Sequence, residues 1–278
     1  MRTHRITGGG GVGLNVTDQG PETAPAILLI HGWAQGSMCW QKQAPLADRF
    51  RLVALDLRGH AASDAPQDAV AYTDTALWAE DIKAVIDALT LKAPLLVGWS
   101  YGARVIASYL ATYGEAAISG VVPVGGVLAI GTAREDWMVG SASPGLNRDL
   151  YSDDIAKRSP ATADFVAACT DAPLTDAALL ADLIAVNMAC TAPVRRSLFA
   201  ADLDLRPIYA AVTKPALVIH GVEDRVVNAA TGIAASEIIP GADLRLYENT
   251  GHIPFLEQPE RFNQDLADFA TLAHGAAQ

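Results

Sequence analysis

Five short, almost wholly apolar runs recur along this chain, separated by stretches of helical period or by turns, and that rhythm restricts the folds open to it. The runs are Ala26–Ile30, Leu52–Leu55, Leu95–Val97, Val121–Val124 and Ala216–His220. They are too short for helices and lack the alternating polar residues of a strand wetted on one face, so they read as buried parallel strands. Between them lie helical patterns. One starts near Thr73 as a cap and has Trp78, Ile82, Val85, Ile86 and Leu89 on its apolar face; another spans Ala103–Tyr113. A further helix over about 228–239, a strand at Leu244–Tyr247 and a last helix from Pro259 continue the pattern. Ahead of it all, Val12, Leu14 and Val16 alternate after the Gly8–Gly11 turn, which predicts an antiparallel hairpin at a sheet edge. Strands alternating with helices predict an α/β fold with a mainly parallel sheet flanked by helices.

The rhythm breaks between about Leu128 and Pro207. That stretch is Ala- and Asp-rich, is interrupted by Pro144, Pro160, Pro173 and Pro193, and contains no β-branched strand run. It reads as an inserted helical cap over residues 128–207, with the core domain formed by 1–127 and 208–278. A length of 278 residues suits one such domain plus a lid.

Composition removes several functions. The formal charge of −11 repels phosphate backbones and anionic membrane surfaces, and it disfavours a strongly anionic substrate. The uncharged stretch 116–133 contains Pro123 and four glycines, so it reads as a buried strand and its exit loop rather than a membrane span. No secretory signal is evident at the N-terminus. Cys39, Cys169 and Cys190 are odd in number and far apart, which implies neither a disulfide framework nor a metal site. Buried free thiols in a reducing cytoplasm are the expectation. Oligomeric state is not written in the sequence.

The chemistry begins at Gly98-Trp99-Ser100-Tyr101-Gly102, between the strand-like Leu95–Val97 and an amphipathic helix. Glycines two before and two after Ser100 permit a sharp strand-to-helix turn that exposes the hydroxyl, and the helix that follows aims free N–H groups at a developing oxyanion. A serine needs a base, and the base an orienting carboxylate. Of His4, His31, His60, His220, His252 and His274, His252 stands in a turn just past the last strand, at the sheet edge where ligands bind. His220 reads as a packing residue and His31 as a loop-fixing one. Asp224, with Glu223 beside it, follows the preceding strand and is the favoured acid, with Glu223 and Asp56 as alternatives. The oxyanion donors expected are the backbone N–H groups of Tyr101 and Trp33.

These peptides together resemble the α/β-hydrolase superfamily. The resemblance spans almost the whole chain outside the cap, through His31–Trp33, Asp56–Asp64, Gly98–Gly102, His220–Val227 and Gly251–Phe262. Ser100, Asp224 and His252 stand in the family order of nucleophile, acid and base. Within the superfamily the chain is similar to bacterial carboxylesterases and aryl esterases related to cofactor-free haloperoxidases, which implies no metal and no organic cofactor. It departs from them at Ala103, where relatives often have a second glycine, and in Gly59-His60-Ala61-Ala62-Ser63, where alanine replaces a usual glycine. Serine at position 100 disfavours the dehalogenase and epoxide hydrolase branches, which use aspartate.

The expectation is therefore a serine hydrolase that cleaves a small or medium apolar carboxylic ester through an acyl-enzyme on Ser100. Trp33, Met38, Trp99, Tyr101, Ile253 and Phe255 are the candidate pocket residues, while Trp137 and Met138 are assigned to cap packing. The same triad would also serve perhydrolysis, lactone opening or carbon–carbon cleavage. A non-catalytic ligand receptor on the same scaffold is the remaining alternative.

Overall fold

The computed structural model describes residues 1–277. Among the described residues, ten strands form two sheets. The larger contains β1 (Arg2–Thr7), β2 (Gly13–Gln19), β3 (Ala26–Ile30), β4 (Arg51–Leu55), β5 (Leu95–Trp99), β6 (Gly120–Val124), β9 (Leu217–Gly221) and β10 (Asp243–Tyr247). Their order is β1-β2-β4-β3-β5-β6-β9-β10. The β1–β2 hairpin lies antiparallel at one edge, with Arg2 opposite Asp18, and every pairing from β4 to β10 is parallel. Each residue of β3, β4, β5, β6 and β9 is buried, which explains why those five segments carry no polar alternation.

The chain runs outward from β3 to β4, then crosses back to β5 and continues outward on the other side. The connections that leave β3 and β5 therefore diverge, and open a crevice at the carboxyl ends of those two strands. The loops that follow them carry Trp33 and Ser100.

Helices cover the sheet: α1 (Val70–Thr73), α2 (Thr75–Ala88), α3 (Tyr101–Tyr113), and, after the insertion, α7 (Arg206–Ala210), α8 (Ala229–Ile238), α9 (Pro254–Glu257) and α10 (Pro259–Ala276). A 3-10 stretch over Ser37–Asp48, not anticipated from the sequence, joins β3 to β4. The cap of α2 is Asp74, whose carboxylate accepts from the Ala76 amide at 2.9 Å; Thr73 instead ends α1. α3 starts at Tyr101, two residues earlier than its apolar pattern suggests, because the turn at Ser100 feeds straight into it.

Between β6 and β9 the insertion differs in detail from an all-helical block. Short 3-10 turns occupy much of 131–151 before α4 (Ile155–Ala168), α5 (Ala177–Ala189) and α6 (Ala192–Leu198). Its two ends are clipped together by a two-stranded antiparallel ribbon, β7 (Ala129–Ile130) with β8 (Leu203–Asp204). Two-residue strands leave no hydrophobic run to read, so the sequence does not announce them. Among the described residues, no single helix is long and apolar enough to cross a membrane.

Candidate active site

The site is built at the ends of β3, β5, β9 and β10. Ser100 closes β5 with φ 53° and ψ −112°, a conformation that costs a non-glycine residue energy and that only a tightly packed surrounding maintains. Its amide donates to the Val124 carbonyl (2.8 Å), and its carbonyl accepts from the Ala103 amide (3.1 Å). A Cβ on Gly98 would lie 2.7 Å from the Gly102 backbone, and one on Gly102 would lie 2.4 Å from the Ile30 carbonyl oxygen. Both glycines are therefore required by close approach. Gly32 also packs against the nucleophile, since a Cβ there would lie 3.0 Å from Ser100 Cβ. Among the described residues, neither the Trp33 nor the Tyr101 N–H donates to a loop or turn carbonyl.

The His31 ring holds that loop: Nδ1 donates to the Gly32 carbonyl (2.8 Å) and Nε2 accepts from the Leu57 amide (2.9 Å). Asp56, the third candidate acid, accepts instead from the Ser37 amide and the Asn15 side chain, at 2.7 and 2.9 Å.

His252 follows β10, and Nδ1 lies 2.7 Å from Asp224 Oδ2. The other carboxylate oxygen of Asp224 accepts from the amides of Val226 (2.8 Å) and Val227 (3.0 Å). Burial opposes ionisation of this carboxyl, but His252, His220 and their hydrogen bonds outweigh it and hold its pKa well below the ordinary aspartate value. An ionised Asp224 accepts the Nδ1 proton of His252, which leaves the Nε2 lone pair free. In this conformation no Ser100–His252 hydrogen bond forms among the described residues, as is common where such contacts tighten only around substrate.

Glu223 does not compete for this position, because its carboxylate accepts from the Thr250 amide at 2.9 Å and so clamps the histidine turn. That turn is tied further by the Trp99 indole, which donates to the His252 carbonyl (2.8 Å), and by the His252 amide, which donates to Cys169 at the end of α4 (2.7 Å). Gly125, with φ 50°, leaves room for the ring, since a Cβ there would lie 3.1 Å from His252 Nδ1.

His220, read from the sequence as a packing residue, also reaches the acid. Its Nε2 lies 3.0 Å from Asp224 Oδ2 and 3.0 Å from the Val227 carbonyl. The signal available in advance was its position four residues before Asp224, at the end of the same strand.

Ser100 and His252 line one cavity of about 40 Å³. Of the pocket candidates, Trp33 and Trp99 line it. Met38, Tyr101, Ile253 and Phe255 do not. Phe255 is fully buried beneath the site, its ring 4.3 Å from Trp40 and 5.1 Å from Trp99, and Met38 packs against the core from the 3-10 stretch. Ile253 is buried at the start of α9. The rest of the wall includes Gln35 and Val127, with Arg134, Phe165 and Phe199 contributed by the insertion. Trp137 is exposed and its indole donates to Glu135, whereas Met138 is buried; neither borders the cavity. Cys169 does border it, but burial, reinforced by Asp224 and Glu257, pushes its thiol far above the usual range, so it carries no thiolate.

A buried serine on a strained strand-to-helix turn, sharing a cavity with a carboxylate-bound histidine, is the arrangement of a hydrolase. Residues 27–265 match the alpha/beta hydrolase family, and the chain belongs to it. It is 34% identical to a protein assigned as an aryl esterase in Burkholderia cenocepacia, with a TM-score of 0.92 over 99% of this chain and 100% of that one. The esterase RhEst1 from Rhodococcus sp. ECU1013 is equally similar, at 34% identity and a TM-score of 0.92 over 98% and 99% of the two chains. The non-heme chloroperoxidase of Streptomyces lividans is 26% identical over 95% of this chain and 98% of its own.

Proposed function

We propose that this protein is a serine hydrolase that cleaves a small or medium, largely apolar carboxylic ester. His252 removes the proton of Ser100 as its oxygen attacks the ester carbonyl. The N–H groups of Trp33 and Tyr101 stabilise the oxyanion, and Asp224 keeps the imidazole in the required tautomer. The alcohol leaves with the proton from His252, and water, deprotonated by the same ring, releases the acid from Ser100. The observation that carries this reading is the conjunction of Ser100 at φ 53° with the 2.7 Å His252–Asp224 contact at one cavity. The mechanism itself calls for no metal or organic cofactor.

The test is p-nitrophenyl acetate turnover together with fluorophosphonate labelling. Wild-type protein should gain the adduct mass on Ser100. Ser100→Ala should lose the label and about 10⁴-fold or more of kcat while unfolding at the same temperature. Undiminished turnover in that variant would overturn the mechanism. A second reading, perhydrolysis, keeps the same residues and has peroxide replace water in attack on the acyl-enzyme; peracid formation in the same assay separates the two.

A further inference from the structure

The charge balance of the whole chain disfavours an anionic substrate, but the site has a different local balance. Arg134, at the start of the insertion, lines the Ser100 cavity. It also lines a second, wider cavity of about 210 Å³, and the two share Val127, Arg134 and Phe199 as common wall. The rest of the second wall is mostly apolar, from Ala129, Ile130, Tyr151 and two glycines. Arg134 is the one lysine, arginine or carboxylate side chain in either lining.

Arg134 has few partners of its own. Its Nη1 donates to Ser143 Oγ at 3.2 Å, and among the described residues it forms no ion pair. The nearby carboxylates are committed elsewhere: Glu135 to Arg206 and to the Trp137 indole, Asp204 to Arg206, and Asp202 to the Thr132 amide. A half-buried guanidinium beside an apolar cavity, with most of its five N–H groups unclaimed, is complementary to a planar anion. Ser143, also at the cavity wall and 2% exposed, holds its head in place.

We propose that Arg134 is a specificity residue and that the substrate is an ester that ends in a single carboxylate. The arm that enters the second cavity is apolar along its length, and its terminal carboxylate pairs with Arg134 while the ester carbonyl sits at Ser100. This rests on the esterase reading and narrows it to a monoanionic ester.

The experiment compares matched pairs. Monomethyl succinate, glutarate and adipate are set against methyl butyrate, pentanoate and hexanoate for a carboxylate on the acyl arm; 4-acetoxybutyrate is set against butyl acetate for the alcohol arm. In one of these series kcat/KM should favour the anion. Arg134→Gln should lower the anion-to-neutral ratio by about 10- to 100-fold, the size of a lost charge-assisted hydrogen-bond pair, with Arg134→Lys intermediate. A ratio that Arg134→Gln leaves unchanged, or a uniform loss on both members of a pair, overturns the assignment and leaves the esterase reading standing.

If no ester is turned over and Ser100 is not labelled, it is the esterase reading that fails. The anion subsite is then decided by calorimetric binding of monomethyl adipate to Ser100→Ala. Binding that disappears in Ser100→Ala/Arg134→Gln supports the subsite, and binding that is absent or persists in both overturns it.

Discussion

His220 Nε2 lies 3.0 Å from the same Asp224 oxygen that His252 Nδ1 approaches to 2.7 Å, so one buried carboxylate oxygen carries two imidazoles. The His220 ring is fully buried and its Nδ1 has no partner among the described residues. Its Nε2 faces two acceptors, the Asp224 carboxylate and the Val227 carbonyl, and donates to them. Gly232 is part of the arrangement, because a Cβ there would sit 2.4 Å from His220 Nδ1. His220 therefore helps to fix the Asp224 carboxylate.

Removing that second donor should loosen Asp224 without touching the substrate. His220→Ala is expected to lower kcat about 10- to 100-fold with little change in KM, since a hydrogen bond to a charged acceptor contributes about 1.5–3 kcal/mol. His220→Gln, whose amide can occupy the Nε2 position, should recover part of the loss. The check is steady-state kinetics alongside thermal unfolding. If the unfolding temperature falls while kcat holds in both variants, His220 serves only packing.

Ala61 offers a test of the unusual loop beside the site. It occupies φ 44°, where an L-residue with a Cβ is disfavoured by about 1–2 kcal/mol, at a position where the resemblance to the family implies glycine. Glycine would relieve that strain at an entropic cost of about 0.4–1 kcal/mol in the unfolded chain. Ala61→Gly should therefore stabilise the protein by up to about 1 kcal/mol, read as a rise in denaturant midpoint at constant slope. A lowered midpoint would show that the Ala61 methyl packs usefully on Gly36, where a Cβ would approach it to 2.9 Å.

How far the sequence carries the reader differs between the sheet and the cavity wall. Ser100, Asp224 and His252 are legible because each follows a strand within a few residues, buried throughout before Ser100 and Asp224 and half-exposed before His252, and local turn chemistry sets their direction. The parallel core is legible for the same reason, as five apolar runs need no partner to be recognised. Phe255 and Ile253 defeat the reading because nearness in sequence to His252 says nothing about facing: both turn into the layer beneath, where Trp40 and Phe262 complete an aromatic cluster around Phe255. Arg134, Phe165 and Phe199 are illegible for the opposite reason. They reach the cavity only through the packing of the insertion over the sheet, typified by the Gln35 amide donating to the Leu183 carbonyl, 148 residues away.

At the sheet edge, Asp18 joins the hairpin to β4 through Arg2 and Arg51, which lie 2.7 and 2.8 Å from its two oxygens. Burial works against its charge, but the two arginines prevail and lower its pKa from 3.8 to about 2. A depressed carboxyl pKa contributes stability that is present above the unfolded value and is lost as pH falls from about 4 through about 2. The shift corresponds to about 2 kcal/mol. Asp18→Asn should thus be less stable than wild type at pH 7, and the gap should close as both are taken toward pH 2 in urea titrations. A gap that stays constant with pH would mean that the variant loses packing and not charge.

Arg104 presents the reverse case, a buried charge without a counter-ion. It is 0% exposed in α3, none of its three guanidinium nitrogens has a hydrogen-bond partner among the described residues, and burial lowers its pKa. Its compensation is aromatic: the guanidinium carbon lies 4.7 Å from the Trp78 ring and 5.6 Å from the Tyr101 ring. Two desolvated cation–π contacts contribute about 2 kcal/mol each, while removing the ion from water costs several kcal/mol even after relaxation. The balance favours an apolar side chain of similar length. Arg104→Met should keep the contacts on both rings and stabilise the protein by about 1–4 kcal/mol, as replacement of other buried charges by apolar groups has done. Chemical denaturation at pH 7 measures it. A clear loss of stability would show that the cation–π pair outweighs desolvation, and because Tyr101 also supplies the proposed oxyanion N–H, that loss should be accompanied by a fall in kcat.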